Sequence, residues 1–158
     1  MRKIFYTMHF RGKTSPSTAD PKLLRTTASA TGSVVITKIR ASGVESELQA
    51  SDGQLAFLES EIHLTGAASF QGSGTLSVGE ESEHVLRFSV IDHGHFDPDI
   101  EPGTITGTSS WKIDGGEGQF SAARGFITSA FIITSSGEFT DYQLGLVFFP
   151  DEPPASSD

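Results

Sequence analysis

At 158 residues the chain has the length of one domain, long enough to bury a core without disulfide or metal staples. It contains no cysteine, which excludes disulfides, thiolate nucleophiles and cysteine-held metal sites. Twenty acidic against eleven basic side chains give a formal charge of −9, the wrong sign for neutralising phosphates, so nucleic acid and anionic membrane are not expected as partners.

In chain order, Arg2 to Arg11 alternates loosely and predicts a first strand. A Pro/Ser/Thr-rich connection follows, with room for one helical turn at Pro21–Arg25. The β-branched run from Thr26 to Ala41 predicts a long strand bent at Gly32, and the next dozen residues predict one short strand between two turns. Leu55 to Phe70 predicts the longest strand, and Ser69 to Val90 a hairpin that reverses at the acidic Gly79–Ser82. His93 to Gly103 predicts a loop, because Pro98 and Pro102 each remove a ladder donor. From Thr104 to Phe149, short Thr/Ser/Ile/Phe runs punctuated by glycines predict consecutive strands joined by tight turns. Residues 1–149 therefore form one domain, and 150–158 a solvated acidic tail without structure.

Eight or nine strands with turn signals about every ten residues predict an all-β, antiparallel fold. An eight-stranded barrel, closed or nearly so, is preferred because closure removes the exposed edges of so many β-branched strands. Phe126 to Ile133 and Tyr142 to Phe149 carry apolar residues on both alternating faces. A barrel strand apolar on its outer side needs a cover, which predicts a homo-oligomer. The amino-terminal apolar run is interrupted by Thr7, His9 and Arg11, and no stretch is long enough to span a bilayer as a helix, so the expectation is a soluble, cytoplasmic protein.

The succession W-K-I-x-G-G-x-G-x-F-x-x-A-x-G-F-I-T-S-x-F, Trp111 to Phe131, resembles the closing hairpin of the allene oxide cyclase-like and dirigent-like barrels and their bacterial relatives. The likeness covers about 45 residues, the length of this last third of the chain. It implies an eight-stranded antiparallel barrel, dimeric or trimeric, whose lumen holds a small apolar molecule. In some members such a lumen guides a cyclisation or radical coupling without a cofactor. No catalytic residue of these families matches this chain position by position, so no activity is carried over.

Three sets of side chains could carry chemistry. His93 and His95 stand two apart, with Asp97 and Asp99 close behind, a spacing that lets an H-x-H pair and a carboxylate ligate one metal; the plain alternative is a polar turn in solvent. Glu59, Glu61 and His63 share one face of a strand, where two carboxylates lining a lumen would form a general acid beside a general base; equally they form the wet side of an amphipathic strand. His9, Arg87, Asp141, Tyr142 and Gln143 are polar groups among apolar neighbours, able to orient a ligand or to satisfy one another, while Trp111 and Phe131 could form its aromatic wall or simply the core.

The glycine-rich IDGGEGQF lacks the following Lys-Ser/Thr of a phosphate loop and carries Asp114 and Glu117, and there is no Gly-x-Ser-x-Gly elbow. The leading expectation is a small-molecule-binding barrel with an apolar lumen, possible as a cyclase or isomerase that needs no cofactor. A non-catalytic oligomeric scaffold and a metal-dependent enzyme built on His93 and His95 are the alternatives.

Overall fold

The structure, a computed structural model, describes residues 1–97 and 100–150; the predicted tail beyond Pro150 lies outside them, as do Pro98 and Asp99. Eleven strands are present: β1 (Arg2–Pro16), β2 (Leu23–Ala30), β3 (Ser33–Arg40), β4 (Gly43–Ala50), β5 (Ala56–Leu64), β6 (Ser69–Val78), β7 (His84–Val90), β8 (Gly94–Asp97), β9 (Thr104–Glu117), β10 (Arg124–Thr134) and β11 (Glu138–Phe149). A single 3-10 turn, Gly118–Phe120, joins β9 to β10. All pairings are antiparallel, and the order β10-β11-β1-β2-β5-β6-β7-β9 closes on itself through β9–β10. Strand β8 continues the place of β7, pairing like it with β6 and β9 after a break at which Asp92 takes φ 54°. The result is a closed antiparallel barrel of eight strand positions.

Strand β1 runs past Arg11 to Pro16, into the predicted connection, and the predicted helical turn at Pro21–Arg25 is instead a turn that enters β2 at Leu23; three further sequence expectations need correction. The predicted long strand from Thr26 to Ala41 is two strands, because Gly32 bridges Met8 on β1 and sends the chain out of the barrel. There β3 and β4 pair only with each other, as a projecting hairpin. Leu55–Phe70 is likewise divided by a turn, closed by the Thr65 N–H donating to the Ser69 carbonyl at 3.0 Å. The predicted loop at His93–Gly103 contains β8, whose short ladder seals the barrel.

Alternation sorts the side chains. On β11, Phe139, Asp141, Gln143, Val147 and Phe149 point inward and are buried, while Tyr142 and Leu144 point outward. The core is the lumen itself, and its filling follows one rule. Tyr6, Phe70, Phe88 and Phe131 each face a glycine on the neighbouring strand, respectively Gly145, Gly94, Gly74 and Gly107. At each of these glycines a Cβ would lie between 2.0 and 2.7 Å from the opposing ring. An eight-stranded lumen is just wide enough for side chains to fill it, so these four rings reach across it where the facing residue has no side chain.

Phe131 is held on several sides, with ring centroids 5.8 Å from Phe70, 5.8 Å from Phe96 and 6.0 Å from Phe139. A methyl at position 107 would meet its ring at 2.2 Å with little freedom to yield. Gly107→Ala is therefore expected to destabilise the barrel by about 1–3 kcal/mol, as overpacking does. The double variant Gly107→Ala/Phe131→Leu should regain part of the loss in urea unfolding; equal stability of the two variants would refute the pairing rule.

Candidate functional site

The polar centre of the lumen lies on β9, β10, β11 and β1, where small hydroxyl and amide side chains alternate with aromatic ones. Register sets Ser109, Ser129, Gln143 and Met8 in one inward row, and Phe131, Asp141 and Phe10 in the next. Asp141 is 2% exposed, and its carboxylate accepts hydrogen bonds from Ser129 Oγ at 2.6 Å and Gln143 Nε2 at 2.8 Å. Tyr6 Oη donates a longer bond, 3.4 Å, to Gln143 Oε1. One carboxyl thus organises two strands and, through Gln143, a third.

Burial makes this carboxyl reluctant to ionise. Desolvation pushes Asp141 up from 3.8 to about 6, against the opposing pull of the Ser129 and Gln143 hydrogen bonds. The same desolvation, reinforced by the Asp141 charge, raises the Tyr6 phenol, which stays protonated as a donor.

Around this carboxyl, two further polar atoms are buried without a hydrogen-bond partner: Ser109 Oγ and Trp111 Nε1. Trp111, Ser129, Phe131, Phe139, Asp141 and Gln143 line a common cavity of about 20 Å³, room for one water or one small functional group. Thr26 and Ser60, with Leu58, Ile62, Phe70 and Phe88, complete its lining. Phe88 stands edge-on to Trp111, centroids 5.1 Å apart.

Of the residues proposed from sequence as ligand contacts, Trp111, Phe131, Asp141 and Gln143 face this cavity. His9, Tyr142 and Arg87 do not. The reason is the period of two: Asp141, Tyr142 and Gln143 are consecutive, so the middle one must point out. Tyr142 stacks on His9 on the outer wall, centroids 4.6 Å apart and planes within 9°. Desolvation, then the charge of Arg11, lowers the His9 pKa. Arg87 is also exposed and pairs with Glu117.

Glu59, Glu61 and His63 point outward as well, since Leu58, Ser60 and Ile62 are the inward residues of β5. Glu61 pairs with Arg25 at 2.9 Å in a solvent-exposed bridge. With Arg87 and Asp114 these carboxylates line an open, charged saddle of about 670 Å³ on the outer face of the barrel, not its lumen. His93 and His95 are exposed, and Asp97 lies on β8. Among the described residues no three His, Cys, Asp or Glu side chains gather at a distance suited to a metal ion; Asp99 lies outside them. Sequence reading overlooked Tyr6, Ser109 and Ser129, although Ser109 and Ser129 each stand two residues before an aromatic of the same lumen, Trp111 and Phe131. No helix among the described residues is long and apolar enough to cross a membrane.

No family model and no curated protein matches the chain. Among solved structures, that of the pterocarpan synthase dirigent protein GePTS1 is similar, at 14% sequence identity and a TM-score of 0.46, over 97% of this chain and 90% of that one.

The raised Asp141 pKa fixes a pH dependence of stability. The folded carboxyl holds its proton more tightly than the unfolded one, so its stabilising contribution is complete below pH 3.8 and is lost as pH rises through about 6. The loss across that window is on the order of 3 kcal/mol. Asp141→Asn should flatten the stability profile between pH 4 and 7 in urea unfolding. An unchanged slope in the variant would show that Asp141 is not the titrating group.

Proposed function

We infer that the chain is a small-molecule-binding barrel whose recognition centre is the lumen around Asp141. The observation that carries this reading is the pair of buried, unpartnered donors, Ser109 Oγ and Trp111 Nε1, in the barrel wall that holds a desolvated carboxyl. Folded proteins leave few such groups unsatisfied, each at a cost of about 1–3 kcal/mol. Trp111 Nε1 is the one of the two whose residue lines the cavity, and a ligand oxygen accepting from it there would relieve its share of that cost.

The ligand class follows from the lining. A carbonyl, ether or hydroxyl end fits the polar centre, and a compact apolar body fits against Phe88, Phe131 and Phe139. The cavity of about 20 Å³ seats the polar group alone, so an apolar body needs room that the lining outside the Phe131 cluster, Phe88 foremost, has to yield. A carboxyl titrating near 6 is populated in both forms around neutrality, the condition for taking a proton from one ligand atom and returning it to another. That chemistry, an isomerisation or cyclisation balanced without oxidant or cofactor, is the reaction class the site suits.

The second reading is a non-catalytic scaffold, favoured by the same small cavity: a lumen filled by its own side chains needs no guest. Trp111 separates the two, since it is the sole tryptophan and lies in the lumen wall. Titration with a neutral, environment-sensitive probe such as Nile red is expected to change Trp111 emission saturably. Asp141→Asn should alter the affinity for hydroxyl-bearing competitors by about tenfold, the worth of one hydrogen bond to a charged group at about 1.5 kcal/mol. Emission unmoved by the probe and by a panel of small cyclic ketones and phenols would overturn the ligand reading and leave the scaffold.

A further inference from the structure

The β3–β4 hairpin leaves the barrel with an apolar face that nothing among the described residues covers. Register sets Val35 opposite Leu48 and Ile39 opposite Val44, all on one face, and all four are exposed, Ile39 by 82%. The other face carries Val34 and Ile36 nearer the root and, toward the tip, Lys38, Arg40, Glu45 and Glu47, with Arg40 and Glu45 3.6 Å apart. A two-stranded ribbon is marginal by itself in water, and this one presents its hydrophobic side to solvent.

A second unpartnered apolar surface lies on the barrel wall of the same chain. Phe5, Leu146 and Phe126 align across β1, β11 and β10, with Leu144 and Tyr142 in the next outward rows. Phe5 and Phe126 are 63% and 56% exposed. The hairpin is rooted at the border of this wall: Thr7 Oγ1 donates to the Ser33 carbonyl, and Thr7 lies in the row of Leu144.

We propose that the hairpin is an exchange arm, laid by its Val35/Ile39/Val44/Leu48 face across the Phe5/Phe126/Leu144 wall of a second copy of this chain, which returns its own arm. Three observations select a second copy over another partner. Donor face and acceptor wall occur once each in one chain, so reciprocal exchange covers both and closes, as a symmetric pair must. The root of the arm adjoins the wall it would receive, so the two contacts merge into one continuous interface. The charged face of the arm balances two cations against two carboxylates, so the arm adds no net charge to a contact between chains that each carry −9. This inference is independent of the lumen reading.

The test uses the absence of native cysteine. Ile39→Cys and Leu144→Cys single variants, mixed in equal amounts and mildly oxidised, are expected to give a disulfide-linked pair carrying one of each, with far less self-linked product from either alone. In sedimentation at micromolar protein the wild type should run as an oligomer. The exposed-site double variant Ile39→Asp/Val44→Asp should run as a monomer with an unchanged far-ultraviolet circular dichroism spectrum and thermal transition. A monomeric wild type, or an oligomer that survives the double variant, would overturn the proposal.

Discussion

The width of the lumen is the constraint on which the rest of this structure depends. Eight antiparallel strands enclose a space that side chains fill, and this chain sets four of its lumen rings over cross-strand glycines, Phe131 over Gly107 and Tyr6 over Gly145 among them. Because the rings occupy the volume, the residues between them along β9 and β10 are small, and serines at 109 and 129 bring hydroxyls into an otherwise apolar interior. The polar centre follows from the packing solution. A carboxyl at 141 then has hydroxyl and amide donors within reach and almost no water.

That carboxyl is expensive. An apolar residue of similar size would avoid the desolvation that pushes Asp141 to about 6. Two hydrogen bonds offset part of the cost, and a third links Gln143 to Tyr6 on the neighbouring strand. What they leave uncompensated, together with the unpartnered Ser109 and Trp111 groups, argues for a site kept for binding rather than for stability. The outer carboxylates make the contrast: Glu61 and Glu117 stand in solvent beside arginines, where exposed pairs contribute little.

Much of the fold was legible in the residues, since glycine turns and β-branched runs mark antiparallel strands and closure follows from their number. Partner choice was not. Thr26 to Ala41 reads as one strand because β-branched residues run through both β2 and β3, and only the bridge between Gly32 and Met8, far apart in sequence, marks where the second leaves the barrel. Four of the lumen side chains were also readable, Trp111, Phe131, Asp141 and Gln143. Which face of β5 or β7 is inward was not, and Glu59, Glu61 and Arg87 were candidates only until register placed them outside. The serines escaped notice because a lone Ser on a strand looks like solvent-facing filler; two-residue spacing from Trp111 and Phe131 was the available clue.

The most direct test of the account is a carbon-detected NMR titration of the side-chain carboxyls, with Asp141 assigned by its loss in Asp141→Asn. The account predicts a midpoint near 6 for this one resonance, displaced again when a ligand occupies the lumen. A midpoint near 4, that of an aspartate in water, would mean that the carboxyl is hydrated and that the lumen has no desolvated polar centre.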